Sequence, residues 1–119
     1  VLMELRATVY SIERQKKLYQ KVQKFLPSIG YNVKVFYGDG YKGLPAFAPF
    51  DRILVTAGAE EIPHQLLEQL RPGGIMVVPV GGQGTQNMKK IMKTEDGKIT
   101  EEDHGYFRFV PLLGNTADE

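Results

Sequence analysis

The sequence predicts an α/β domain built on a mostly parallel sheet, and three observations carry the prediction. The run Ile53-Leu54-Val55-Thr56 is uncharged and rich in β-branched residues, the pattern of a strand buried on both faces. Short β-prone runs alternate with stretches at helical spacing, which implies parallel strands joined by right-handed crossovers. The apolar run ends in the small residues Thr56-Ala57-Gly58-Ala59, which leave room beyond the carboxyl end of the strand, where open α/β sheets bind their ligands.

The chain length of 119 residues fits one domain, 1–119, and the 42% hydrophobic content is too high for a disordered chain. A formal charge of +1 gives no electrostatic reason to expect nucleic acid or an anionic membrane as partner. With Cys 0 there is no disulfide, thiol nucleophile or thiolate metal site. No apolar run has the length of a membrane span or a signal-peptide core, so a cytoplasmic location is expected. No metal-ligand spacing is present.

At the amino end, Val1-Leu2-Met3 stands where a reading frame would open on Met, so the chain is expected to be cut there, with residues 1–6 as the stub of a helix. Thr8 to Ile12 reads as a strand that stops at Glu13. From Arg14 a helix is predicted, with Leu18, Val22, Phe25, Leu26 and Ile29 inward and the lysines outward. Gly30 stops it, and Val33 to Tyr37 forms a second strand closed by Gly38-Asp39-Gly40. A loop with Gly43, Pro45 and Pro49 leads to the central strand.

The next helix starts near Pro63, after the acidic pair Glu60-Glu61, and buries Ile62, Leu66, Leu67 and Leu70. Arg71-Pro72-Gly73-Gly74 is expected to end it sharply, and Ile75 to Val80 to form another buried strand. The last third is more polar. Gly81 to Gly84 is a loop without the Lys-Ser/Thr of a Walker sequence, and residues 87–112 form a polar closing strand region. Within it, 87–94 and 98–110 are joined by Glu95-Asp96-Gly97, whose Asp-Gly favours a hairpin turn.

Two acids stand out. Glu13 ends the first strand and Asp39, between glycines, ends the second, so both lie at one edge of the sheet, where doubly wound folds place an acid on a ribose diol. Helix capping explains Glu13 equally well, and turn chemistry explains Asp39. His64 and His104 have no nucleophile or metal partner at a useful spacing. Lys16-Lys17 and Lys89-Lys90 read as solvated faces, and Met76, Met88 and Met92 as core or half-buried strand positions.

Five segments, Tyr10-Ser11-Ile12-Glu13-Arg14, Tyr37-Gly38-Asp39-Gly40, Phe50 to Ala59, Leu70-Arg71-Pro72-Gly73-Gly74 and Arg108-Phe109-Val110-Pro111-Leu112, resemble in order and spacing the protein-L-isoaspartate O-methyltransferase family. The resemblance implies a Rossmann-like, three-layer α/β/α methyltransferase fold that binds S-adenosyl-L-methionine. It also implies methylation of L-isoaspartyl carboxylates in damaged proteins and peptides. On the cofactor side it points to Glu13, Asp39, Gly40, Thr56 and Ala57. On the substrate side it points to Gly58, Ala59, Pro79, Val80, Gly81, Val110, Pro111 and Leu112.

The family's glycine-rich first motif, its strand and the segment with the active-site Ser have no counterpart here, so no catalytic residue is assigned. The expectation is therefore a domain truncated at its N-terminus and inactive alone, monomeric if intact and open to strand exchange if truncated. Without the missing strand, Thr8–Ile12 and Ile53–Ala57 would not be neighbours. The alternative classes are an inactive fragment serving as a binding module and half of a nicotinamide-dependent dehydrogenase; the latter lacks its glycine fingerprint.

Overall fold

The structure, a computed structural model, describes residues 8–30, 33–82, 84–108, 110–114 and 116. The expected stub at 1–6, Gln83 of the loop and Phe109 of the closing motif lie outside them. Two compact units emerge, Val1–Gly40 with Leu113–Glu119, and Tyr41–Leu112.

In the first unit, β1 (Tyr10–Glu13) pairs in parallel with β2 (Lys34–Tyr37), and α1 (Lys16–Ser28) crosses between them. The helix begins two residues later than the spacing suggests and carries Pro27 in its last turn. The stripe expected to face inward is largely open: Leu18, Phe25 and Ile29 are exposed, Phe25 at 57%, while Val22 and Leu26 are half-buried. A two-stranded sheet offers this unit too narrow a surface to cover a helix of 13 residues. Tyr10 and Phe36 stack across the strand pair with centroids 6.4 Å apart, and the Lys34 ammonium lies 5.2 Å from the Tyr10 ring.

The second unit holds β3 (Phe50–Leu54), α2 (His64–Gln69), β4 (Leu70–Val80), β5 (Gln86–Lys93) and β6 (Ile99–Phe107), with strand order β3-β4-β5-β6. The β3–β4 pair is parallel, as the strand–helix–strand order requires, and the other two pairs are antiparallel. Thr94 to Lys98 makes the hairpin between β5 and β6, with Gly97 at φ +84 supplying the left-handed residue the turn needs.

Two expectations are corrected here. The Ile53–Thr56 run is not buried on both faces: Ile53 and Val55 are half-buried, Leu54 is 61% exposed, and among the described residues β3 pairs only with β4. Ile53 and Val55 share one face, which packs against the core, while Leu54 and Thr56 share the other, which is exposed. Nor does Arg71-Pro72-Gly73-Gly74 separate helix from strand as a helix stop. Leu70 already pairs with Phe50, and the register then jumps so that Arg52 faces Ile75. Residues 71–74 form a bulge within β4, with Gly73 at φ +83; Pro72 lies in the bulge, where a missing N–H costs no ladder bond.

The core is small and lies in this second unit: Ala59, Leu66, Leu70, Met76, Val78 and Ile91 are buried, with Ile53, Val55, Ile62, Leu67, Val80 and Leu112 packed against it. The helical stripe and the strand run thus bury the residues their periodicities select, each large side chain worth about 1.5–3 kcal/mol. Met76 is buried, while Met88 and Met92 are half-buried. Lys89 is less solvated than its neighbours imply, since it lies 3.5 Å from Glu101 and 3.6 Å from Asp103 across β5–β6.

Candidate functional site

The two acids of the first unit come to adjacent strand ends. Glu13 is level with Tyr37 in the parallel register, its carbonyl accepts from the Gly38 amide at 3.0 Å, and Asp39 follows at once. The Glu13 carboxylate is half-buried. Its Oε1 accepts the Gln15 amide at 3.2 Å, one of the donors left unpaired at the start of α1. Its other oxygen has no hydrogen-bond partner among the described residues. Glu13 therefore performs the capping role in part and keeps one acceptor for a ligand, so the two roles do not exclude each other.

In the second unit, three separate stretches meet beyond the carboxyl ends of β3 and β4. The Gly58 amide donates to the Val110 carbonyl at 2.7 Å, and the Leu112 amide donates to the Gly58 carbonyl at 2.7 Å. One residue on, the Ala59 amide donates to the Pro79 carbonyl and the Gly81 amide to the Ala59 carbonyl, both at 2.8 Å. Gly58 and Ala59 thus act as a two-sided staple: one holds the closing segment 110–112 and the other the end of β4, each through two short parallel-bridge bonds.

Every peptide group in the staple is spent internally, and Gly58 and Ala59 are buried. What they leave facing solvent is the surface of the segments they hold. Thr56, Val110 and Pro111 are exposed, and Ala57, Val80, Gly81 and Leu112 are half-buried around the buried Pro79. Gly58, Ala59, Pro79, Val80, Gly81, Val110, Pro111 and Leu112, which the resemblance assigns to the substrate side and which come from three separate stretches of sequence, are contiguous here.

Sequence reasoning passed over two glutamines that organise this unit. Gln86, at the start of β5, is 4% exposed and donates through Nε2 to the Gly82 carbonyl at 2.9 Å. Gln69, at the end of α2, clasps the turn at 42–44. An isolated Gln in a polar stretch carries no spacing signal. The readable hint was the pair of glycines, Gly43 and Gly58, each at a place where a side chain would collide with a glutamine. Neither histidine enters a site: His64 is exposed, and His104 lies 3.1 Å from Glu102 on the outer strand. Among the described residues, no three His, Cys, Asp or Glu side chains are grouped to hold a metal, and no helix is long and apolar enough to cross a membrane.

Comparison with known proteins identifies the family. The family model for protein-L-isoaspartate(D-aspartate) O-methyltransferase matches residues 1–117. A protein-L-isoaspartate O-methyltransferase from Cytophaga hutchinsonii is 52% identical over 114 residues, 96% of this chain and 52% of that protein. One from Methanopyrus kandleri is 51% identical over 108 residues, 89% of this chain and 48% of that protein. The chain spans about half the length of the curated relatives it matches. Among solved structures, a protein-L-isoaspartate O-methyltransferase superposes with a TM-score of 0.80 at 29% identity, covering 92% of this chain and 35% of the other. A Plasmodium falciparum structure described as the same kind of enzyme, in complex with S-adenosyl-L-homocysteine, gives 0.73 at 25% identity, covering 96% and 56%.

Proposed function

The chain belongs to the protein-L-isoaspartate(D-aspartate) O-methyltransferase family, with its Rossmann-like fold, and we propose that it forms the substrate side and part of the cofactor side of a methyltransferase domain. In this reading the whole enzyme transfers a methyl group from S-adenosyl-L-methionine to the carboxylate of L-isoaspartyl residues in damaged proteins and peptides. The observation that carries the reading is the staple at Gly58 and Ala59, which gathers three distant segments into one surface at the ligand-binding end of a parallel strand pair.

The residues fit the cofactor. Glu13 offers a carboxylate oxygen to a ribose diol beside the turn Asp39-Gly40, which suits the adenine side; Thr56 and Ala57 are assigned to the cofactor by the family resemblance alone. S-adenosyl-L-methionine supplies, when bound, an electrophilic methyl on a sulfonium. The acids of this chain favour such a cation, chiefly as hydrogen-bond acceptors.

The chain's part in the chemistry is orientation. An isoaspartyl carboxylate, with an ordinary pKa of about 4, is already ionised at neutral pH and needs no general base. The surface formed by Pro79–Gly81 and Val110–Leu112 would hold the peptide so that one carboxylate oxygen points in line with the methyl, where positioning alone is worth several orders of magnitude in rate. The absence of a histidine from both candidate surfaces is consistent with that chemistry. A cytoplasmic, monomeric enzyme belongs to the same proposal.

The test is methyl transfer by the full-length natural product that carries these residues. A labelled methyl group should pass to an isoaspartyl peptide and not to its aspartyl isomer. Equal labelling of both peptides, or of neither, overturns the reading.

A further inference from the structure

Where the three substrate-side segments meet, the bridges between them are backbone bonds; the side chain packed into the junction is that of Gln86. A Cβ built on Gly58 would lie 2.8 Å from Gln86 Cδ and 3.0 Å from its Cγ, so the glutamine stem fills the space directly against Gly58. A Cβ on Gly81 would lie 3.1 Å from Gln86 Cα and 3.0 Å from the Thr85 carbonyl. The Gln86 amide then reaches past Gly81 to the Gly82 carbonyl at 2.9 Å. One buried side chain therefore touches both ends of the staple: the glycine that carries 110–112, and the chain leaving β4 through Gly81 and Gly82.

A hydrocarbon of the same length would fill the same volume. Burying an amide here instead is tolerable only because it is hydrogen-bonded, and its bond fixes Gly82, the residue just past the Gly81 amide that the backbone bridge to Ala59 already holds. We propose that Gln86 is a positioning residue for the isoaspartyl peptide. Its stem sets the height of Gly58, and with it of Val110–Leu112; its amide sets the path of Gly81-Gly82. The inference rests on the function proposed above and extends it to a residue that touches neither substrate nor cofactor.

The experiment measures KM separately for an isoaspartyl peptide and for S-adenosyl-L-methionine, in the full-length natural product and its Gln86→Ala and Gln86→Met variants. Gln86→Ala removes both wedge and bond. It should raise the peptide KM by about tenfold while the cofactor KM stays within about twofold, the scale of one lost hydrogen bond. Gln86→Met keeps the wedge and loses the amide, its donor and its acceptor together. It should melt like the wild type and still raise the peptide KM by about threefold or more. If Gln86→Ala does not fold, Gln86→Met decides alone. A parallel rise in both KM values, or a Gln86→Met variant with unchanged peptide KM, overturns the proposal while leaving the function intact. Absence of transfer by the wild type overturns both.

Discussion

Gln69 stands so close to Gly43 that a Cβ built on the glycine would lie 2.2 Å from the glutamine Oε1. The amide straddles the turn: its Oε1 accepts from the Leu44 amide at 2.9 Å, and its Nε2 donates to the Lys42 carbonyl at 2.8 Å. Gly43 is also at φ +61, a left-handed conformation that side chains resist. Sterics and backbone thus require glycine at the same position. Gly43→Ala should lower stability by about 2–4 kcal/mol, the sum of left-handed strain and overpacking, read as a shift in the urea midpoint at constant slope. In combination with Gln69→Ala the losses should be less than additive, because the second change removes the obstacle. Strict additivity would show that the two residues do not press on each other.

Lys93 secures the other side of α2. Its ammonium donates to the Leu67 carbonyl at 2.6 Å, which also accepts the Leu70 amide, and to the Leu70 carbonyl at 2.7 Å, both at the C-terminal end of the helix where a cation is favoured. Lys93→Met retains the stem and removes both bonds. It should cost about 1–3 kcal/mol in thermal or urea unfolding, more than a surface lysine would. A loss indistinguishable from that of Lys98→Met, in the exposed turn, would show that the carbonyls find water instead.

Glu13 accepts the Gln15 amide, and in the proposed reading it also accepts from a ribose. Glu13→Ala in the full-length product should weaken S-adenosyl-L-methionine binding by about 1–3 kcal/mol in calorimetry, the value of a charge-assisted acceptor. Glu13→Gln keeps a neutral acceptor for Gln15 and should restore the melting temperature while recovering only part of the affinity. An unchanged dissociation constant in a folded Glu13→Ala variant would leave Glu13 as a cap alone.

The hairpin turn carries a carboxylate that titrates low. The Thr94 hydroxyl donates to Asp96, and this bond, with help from the Lys98 backbone and side chain, holds the Asp96 carboxyl below its ordinary 3.8. A depressed folded value means that the contribution to stability is fully present above 3.8 and fades as pH falls through the folded pKa. An NMR titration should place Asp96 below 3.8, and Thr94→Val should move it back toward that value. No movement on removing the hydroxyl would assign the shift to another cause.

Local periodicity and turn chemistry made much of the fold legible. The parallel β1–β2 and β3–β4 pairs follow from strand–helix–strand order, and the Asp96-Gly97 hairpin from its dipeptide. The buried stripe of α2 is the one its spacing marks, and Glu13 and Asp39 fall at neighbouring strand ends as their places in the chain require. Each of these depends on residues close in sequence, whose side-chain directions repeat every two or about 3.6 positions.

What tertiary structure decided depends on which distant segments become neighbours. The exposure of Leu54 follows from which face of β3 the core covers, and the Arg71–Gly74 bulge from the register against Phe50 and Arg52. The junction of Gly58 with Val110 and Leu112, and the wedging of Gln86 against Gly58, are contacts between stretches tens of residues apart. Periodicity states which face a residue presents but not what will lie against it, so the sequence alone determined the elements and the acids at their ends. Only the folded sheet decided which glycines, glutamines and closing residues share a site, because backbone bonds across that distance form only once the register is set.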